Sequence, residues 1–259
     1  MITSKLQGGL CNQMFQIAAA HSLAISNNDI TGFNFNDCYT PNQGFSAIKY
    51  KKTLFKNINE IPDYNGFINN YIEPNFSFNK IPYANNLILK GYFQSEKYFK
   101  NNKKEIIDLF FINPIDVNFL IEQFNLNDNK TVTVHIRRGD YLKYPDFHLV
   151  CDTKYYQQAI EIFDNTYRFI FISDDIEWCK ENFNGNNYIF SDLNDEILDL
   201  TLMSLCSHNI LSNSSFSWWG SYLNNNKNKI VVAPKNWFGN NPNTPKDTQD
   251  IYCDNWIKI

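Results

Sequence analysis

The second half of the chain alternates short apolar runs with helix-like segments, and this alternation limits its fold more than any other feature. The apolar runs lie at 131–136, 167–173, 187–192, 209–213 and 229–234, and the helix-like segments lie at 155–163, 197–208 and 217–223. Short runs rich in Val, Ile and Phe are typical of buried strands. Strands that alternate with helices predict a parallel sheet covered by helices, with ligands bound outside the carboxyl ends of the strands.

The first half of the chain has a less regular pattern. A glycine-containing loop that begins at Gly8 leads into a predicted helix that reaches Leu23. We predict short strands and loops over 29–86, a strand at 87–93 and a helix at 98–109. The polar stretch 125–130 is suited to a linker. We therefore predict two domains, an N-terminal one at 1–128 and a C-terminal one at 129–259.

The charge of the chain excludes a general affinity for polyanions. Its 259 residues carry a formal net charge of -4, which predicts no nucleic-acid partner and requires any bound phosphate to be held locally. The N-terminus lacks a signal-peptide pattern, and no run of about 18 apolar residues occurs. We therefore expect no transmembrane segment and a cytoplasmic location. The six cysteines are scattered and are expected to be reduced thiols.

Several functional patterns are missing from the sequence. It has no zinc-type Cys/His spacing, no Walker-type phosphate loop, and no Asp-x-Asp where a metal-bound nucleotide would need one. We therefore expect no catalytic metal and no kinase or NTPase activity. Five aromatic residues are assigned to core packing by default, namely Trp218, Trp219, His21, His148 and His208.

Polar clusters follow the predicted strands at 135–140, 173–175, 191–196 and 212–217. In the first cluster, alternation places Arg137 on the same face as His135 and Arg138 on the opposite face. Arginine offers a planar fork of donors that matches phosphate oxygens and stays charged, so Arg137 is favoured as a diphosphate ligand. For Arg138, an ion pair with Asp140 that only shapes the turn is an equal alternative.

The other clusters offer hydroxyls and carboxylates. Ser214 and Ser215 lie between a strand and a helix start, where they can hold a phosphate or serve as an ordinary N-cap. Asp174, Asp175 and Asp199 can accept hydrogen bonds from a guanine edge or a ribose hydroxyl. The alternatives are a helix cap for Asp174 and Asp175, and a solvated helix face for Asp199.

Five segments of the chain resemble the α-1,2-fucosyltransferases of glycosyltransferase family 11, in the family's order. They are GGLCNQMFQIAAAHSLA near the N-terminus, LKGYFQSEKYF at 89–99, HIRRGDYL at 135–142, FISDDIEWC at 171–179 and DLTLMSLCSHNILSNSSFSWWGSYL at 199–223. Two features depart from the family: Cys11 stands where relatives usually carry a small residue such as Gly, and the chain is short.

The resemblance implies an α/β fold of the GT-B type, with two Rossmann-like domains facing a cleft. By the resemblance, the N-terminal domain lies on the acceptor side and the C-terminal domain binds the nucleotide sugar. It implies GDP-fucose as donor, a glycan acceptor with O2 of a terminal galactose as the accepting hydroxyl, inversion, and no cofactor or metal. By the resemblance, Arg137 binds the diphosphate, Asp199 contacts the guanine, Ser214 and Ser215 contact phosphate, and Asn12 contacts the donor. The full set expected to bind the donor is Gly9, Asn12, His135, Arg137, Arg138, Asp174, Asp175, Asp199, Ser214, Ser215 and Phe216.

The expected reaction is attack of an acceptor hydroxyl on the anomeric carbon as GDP leaves, with Arg137 stabilising the departing diphosphate. Asp140 is either the general base for the hydroxyl or a residue that only orients Arg137. Two rival functions remain at this point: a transferase of the same fold that uses a different nucleotide sugar, and a GDP-sugar-binding protein without turnover.

Overall fold

The chain forms two compact units in a computed structural model that describes residues 1–36 and 44–259. The first unit comprises 1–112 with 245–253, and the second comprises 113–244 with 254–259. Residues 113–128, which the sequence grouped with the first half, lie with the second unit. The reason is a helix, α3 (Pro114–Phe124), that packs against the helix at 196–205. Arg168 of the second unit also donates to the carbonyl oxygens of Phe124 and Asn125, at 2.8 and 2.6 Å.

The first unit is built on a three-stranded parallel sheet. Its strands are β1 (Ile2–Ser4), β2 (Asn69–Ile72) and β3 (Leu87–Lys90), in the order β1-β3-β2. Helix α1 (Leu10–Ile25) packs against β1, and it is buried along most of its length because most of its own side chains are small or apolar. Helix α2 (Lys103–Leu109) is shorter than predicted, since the segment before it forms two 3₁₀ turns.

The second unit carries a six-stranded sheet in which every pairing is parallel. Its strands are β4 (Thr131–Ile136), β5 (Arg168–Ser173), β6 (Tyr188–Phe190), β7 (His208–Ile210), β8 (Val231–Ala233) and β9 (Ile257–Lys258), in the order β6-β5-β4-β7-β8-β9. Every residue of β4 is buried, as expected for a central strand with helices on both faces. The helices are α4 (Thr153–Ile160), α5 (Ile176–Asn182), α6 (Glu196–Leu205) and α7 (Ser215–Leu223).

The strand order of this sheet reverses between β4 and β7. From β4 the chain proceeds outward through β5 and β6, then returns to the other side of β4 and continues through β7, β8 and β9. In sheets of this kind the crevice at the carboxyl ends of the two strands at the reversal is the usual ligand site. The fold therefore directs attention to the loops after β4 and β7.

The core of the second unit contains the two tryptophans that the sequence assigned to it. Trp218 and Trp219 are fully buried, and Trp218 stacks on Tyr222 with ring centroids 4.7 Å apart. His208 begins β7 and is buried, whereas the sequence placed it at the end of a helix. Of the cysteines, those at positions 11, 151, 179, 206 and 253 are free thiols, and Cys38 lies outside the described residues. Within 1–36 and 44–259, no helix combines the length and apolarity needed to cross a bilayer.

Candidate functional site

The guanidinium of Arg137 lies at the carboxyl end of β4 between two carboxylates. It contacts Asp140 Oδ1 at 2.6 Å and Asp174 Oδ2 at 3.1 Å, and its side chain is 34% exposed. Burial alone would lower the pKa of Arg137, but Asp174 and Asp140 outweigh it and raise the pKa above its ordinary value. The site thus holds a permanent, partly accessible cation.

Arg138 points into a different environment, as strand alternation predicts. Its Nε donates to Asp175 Oδ2 at 2.9 Å, and its guanidinium carbon lies 3.8 Å from the ring centroid of Trp178. Asp140 pairs with Arg137 rather than with Arg138, so the Arg138–Asp140 pair considered from the sequence is not the one formed. Arg138 is held on both sides by the segment that follows β5.

The two aspartates after β5 hold these arginines in place. Asp174 Oδ1 accepts the backbone N–H of Arg138 at 2.9 Å, while its other oxygen contacts Arg137. Asp175 caps α5, accepting the N–H of Trp178 at 3.4 Å, which confirms the helix-cap interpretation for this residue. A methyl group at Gly139 would lie 2.6 Å from Asp174 Oδ2, so this glycine allows the loop to approach the carboxylate.

The turn after β7 leads directly into α7. Ser214 is the N-cap of this helix, and its hydroxyl accepts the N–H of Phe216 at 3.2 Å, which confirms the N-cap interpretation for Ser214. The Ser217 hydroxyl donates to the carbonyl oxygens of Ser212 and Ser214, at 3.1 and 3.2 Å. Ser215 and Phe216 are half-buried. A capped helix start of this kind presents first-turn amides that have no partner within the helix.

Side-chain contacts join the loops after β4 and β7. His135 Nδ1 lies 2.8 Å from Ser212 Oγ, and the His135 ring is 5.4 Å from that of Phe216. The Tyr141 hydroxyl donates to the carbonyl oxygen of Asn213 at 3.0 Å. Burial, reinforced by Arg137, lowers the pKa of His135 to about 3, so this imidazole is neutral. The strand-end clusters predicted at 135–140 and 212–217 are therefore brought together at the reversal point.

Asn213 is a buried bridge that the sequence analysis did not single out. Its side-chain amide donates to the carbonyl oxygens of Leu149 and Trp237, both at 2.8 Å. Together with the bond from Tyr141 to its backbone, these contacts fix the loop after β4. The signal available in the sequence was its place in the polar cluster at 212–217, at the end of the apolar run 209–213.

Asp199 lies in the first turn of α6 and faces the end of β6. The hydroxyl of Ser191, one residue beyond β6, donates to Asp199 Oδ1 at 3.1 Å. Burial raises the pKa of Asp199 to about 6; the Ser191 hydrogen bond opposes the rise, and Asp195 adds to it. The half-buried carboxylate therefore does not lie on a solvated helix face, which was the alternative considered from the sequence.

Gly9 and Asn12 belong to the first unit, whereas the other predicted donor ligands belong to the second. Gly9 is the N-cap of α1, and Asn12 Oδ1 accepts a hydrogen bond from Gln94 Nε2 at 2.7 Å. Gly8 has φ +74°, and a methyl group there would lie 2.5 Å from Asn12 Nδ2. Gly8 thus leaves room for the Asn12 side chain at the start of α1.

The described residues offer no cluster suited to a metal. Across 1–36 and 44–259, no group of three or more His, Cys, Asp or Glu side chains is placed to hold an ion. The groups that the second unit gathers instead are a cation, a neutral imidazole, serine hydroxyls with helix amides, and a half-buried carboxylate. Such a set suits a ligand that is negatively charged in one part and donates hydrogen bonds from another.

The chain is similar in sequence and in fold to known glycosyltransferases. An alpha-1,2-colitosyltransferase from Escherichia coli is 32% identical, over 100% of this chain and 99% of its own. The galactoside alpha-(1,2)-fucosyltransferase 2 of Oryctolagus cuniculus is 25% identical, over 86% of this chain and 67% of its own. The crystal structure of the fucosyltransferase NodZ from Bradyrhizobium superposes with a TM-score of 0.52 at 14% identity, and the match covers 85% of this chain and 91% of the other. This similarity confirms the predicted GT-B-type α/β fold.

The family model described as "Glycosyl transferase family 11" matches residues 1–259. The chain therefore belongs to glycosyltransferase family 11 and is a glycosyltransferase.

Proposed function

We propose that the protein is an inverting, metal-independent fucosyltransferase that moves L-fucose from GDP-fucose to a hydroxyl of a glycan acceptor, O2 of a terminal galactose. The observation that carries the proposal is the reversal point between β4 and β7, where the loop of Arg137 is tied to the turn of Ser214 and Ser215. This combination of a fixed cation and helix amides suits a diphosphate.

In this proposal the second unit binds GDP along the carboxyl edge of its sheet. Arg137 and the first-turn amides of α7, beside Ser214 and Ser215, hold the two phosphates. Asp199 accepts the N1–H and the amino group of guanine, because a carboxylate offers two acceptors to two parallel donors. Asp174 and Asp175 act through the arginines that they contact.

The remaining predicted donor ligands complete the proposal. His135 stays neutral and supports the turn that carries Phe216. In the first unit, Gly9 and Asn12 are proposed to contact the donor, with Gln94 orienting the Asn12 amide.

The chemical step is a single displacement. The acceptor oxygen forms a bond to the anomeric carbon as the bond from that carbon to the diphosphate oxygen breaks, and the electron pair leaves with GDP. Arg137 stabilises the charge that develops on the leaving group. Asp140, which contacts Arg137 at 2.6 Å, orients this guanidinium.

A colitosyltransferase is the second candidate, because a protein of that name is 32% identical along the full length of the chain. Colitose is L-fucose without its 3-hydroxyl group, so the same phosphate site would serve either donor. A pocket built to hydrogen-bond the 3-hydroxyl rejects the deoxy sugar strongly, whereas an apolar pocket does not reject fucose as strongly. Transfer rates measured side by side with GDP-fucose and with GDP-colitose separate the two candidates.

The test of the proposed function is product analysis by NMR after incubation with GDP-fucose and a panel of β-galactosides, with EDTA present. The expected product is an α-1,2-linked fucoside whose anomeric configuration is inverted relative to the donor. Retention of configuration, or a requirement for added metal, would contradict the mechanism. Binding of GDP without any product would favour the non-catalytic alternative. The cytoplasmic location belongs to the same proposal, and fractionation of expressing cells tests it.

A further inference from the structure

His148 occupies a position in the second unit that differs from the core position assigned to it from the sequence. Its ring stacks flat on that of Tyr141, with centroids 4.1 Å apart and an interplanar angle of 9°. The Phe147 ring meets its edge at 4.9 Å. The side chain is half-buried, and among the residues that the structure describes its ring nitrogens have no hydrogen-bond partner. A packed imidazole with available nitrogens is therefore present in the loop after β4.

This imidazole is close to the cation of the proposed diphosphate site. The guanidinium carbon of Arg137 lies 5.6 Å from the centroid of the same Tyr141 ring. The separation of His148 from Arg137 is therefore at most the sum of the two ring distances. Both side chains therefore pack near one aromatic ring, and Arg137 and Asp140 both act electrostatically on the imidazole. This places His148 beside the proposed diphosphate site.

Two backbone contacts hold the loop in place. The carbonyl oxygen of Phe147 accepts the N–H of Gly239 at 2.9 Å, and the N–H of His148 donates to the carbonyl oxygen of Tyr144, also at 2.9 Å. The Tyr141 hydroxyl is bonded to the Asn213 backbone. The stacked ring is therefore fixed by its neighbours, as a base that must meet an incoming hydroxyl requires.

The surroundings of the imidazole favour its neutral form, because the effect of burial outweighs that of the nearby charges. Burial lowers the pKa of His148; Asp140 opposes this effect and Arg137 adds to it. The side chain can therefore accept a proton at neutral pH. Asp140, the base considered from the sequence, has one carboxylate oxygen bonded to Arg137 at 2.6 Å, whereas the ring nitrogens of His148 have no hydrogen-bond partner among the described residues.

We propose that His148 is the general base of the transfer reaction. A ring nitrogen accepts the proton of the acceptor hydroxyl while the hydroxyl oxygen bonds to the anomeric carbon, and the bond to the diphosphate oxygen breaks with its electron pair leaving on GDP. The inference rests on the proposed function, since it requires a glycosyl donor held at Arg137.

The test compares wild type with His148→Phe, which keeps a flat ring on Tyr141 but has no basic nitrogen. General-base removal should lower kcat by about 10²–10⁴-fold, while the Kd for GDP, measured by calorimetry, stays within twofold. The acid limb of the kcat–pH profile should disappear from the residual activity. His21→Gln is the matched control, because this half-buried histidine lies in the first unit and bonds to Thr31.

The outcomes separate the inference from the proposed function. Wild-type turnover in a folded His148→Phe variant would show that the stack only packs, and would overturn the base role. If the Phe variant does not fold, His148→Ala with added imidazole replaces it: partial recovery of turnover supports the role, and no recovery overturns it. Failure of the wild-type protein to bind GDP or form a fucoside would instead refute the proposed function.

Discussion

Replacing Arg137 by alanine tests the assignment of the diphosphate site through a loss that can be estimated from the structure. The guanidinium is the cation between Asp140 and Asp174. Its removal takes away a donor to the leaving group and leaves two carboxylates facing the anionic nucleotide. Loss of a single donor of this type costs about 2.7–4 kcal/mol of transition-state stabilisation, which is about 10²–10³-fold in kcat. We expect a fall of at least this size.

The folded state should change much less than the rate. The side chains of Arg137 and Asp140 are 34% and 44% exposed, and ion pairs of such exposure contribute about 0–1 kcal/mol each. Arg137→Ala should therefore melt within a few degrees of wild type. Arg137→Lys keeps the charge but loses the planar fork, so it should retain an intermediate rate.

The assay is the initial rate of transfer from GDP-fucose, with kcat and KM determined separately and thermal melts run on the same samples. Arg168→Lys is the control. Arg168 begins β5, so it lies at the amino end of the strand, away from the carboxyl ends where Arg137 lies, and it donates to the carbonyl oxygen of Phe124. This control should lose stability and keep its kcat. Near-normal turnover in Arg137→Ala would refute the reasoning.

Three further predictions follow from contacts in the second unit. Asp199→Asn should weaken GDP binding in calorimetry by about 10–100-fold, as expected for hydrogen bonds to a charged group, and unchanged affinity would contradict the guanine role. Because burial raises the pKa of Asp199 to about 6, wild-type GDP affinity should fall as pH drops through that value, and the Asn variant should lack this dependence. Gly139→Ala should raise the donor KM about tenfold with little change in melting temperature. The reason is that the added methyl group would displace the Asp174 carboxylate from both arginines. An unchanged KM would count against that arrangement. Asn209→Leu should lower the free energy of unfolding by about 3 kcal/mol in urea titrations. The buried Asn209 amide forms hydrogen bonds with Thr133, with the Met203 carbonyl and with Asn224, and the variant loses all of them. A loss below about 0.5 kcal/mol would show that the network is dispensable.

The sheet of the second unit could be predicted because its sequence signals are local. The run at 131–136 is apolar or β-branched at every position except His135, and such a run fits a strand that helices cover on both faces. Helix α3 was missed although its start signals are present, with Asn113 as N-cap and Pro114 at the first turn. Its apolar face is narrow, since Leu120 and Phe124 are its buried residues. The domain boundary predicted from the polar stretch at 125–130 consequently fell after this helix.

The sequence could predict which strand ends form the site, but it could not predict which side chains pair with each other there. Adjacency of strands placed Arg137 near the turn at 212–217, because both follow strands of one parallel sheet. Which carboxylate pairs with which arginine depends on how the loop after β4 folds, and the sequence left Asp140 open to either arginine. The position of His148 depends on its chain neighbours, since the Phe147 carbonyl accepts from Gly239 and the Leu149 carbonyl accepts from Asn213, both far along the chain.

The most direct test of the account is a crystal structure of the protein with GDP bound. The account predicts the two phosphates between Arg137 and the N-terminus of α7, with the guanine edge on the Asp199 carboxylate. A nucleotide bound elsewhere, or an Arg137 side chain turned away from the phosphates, would contradict it.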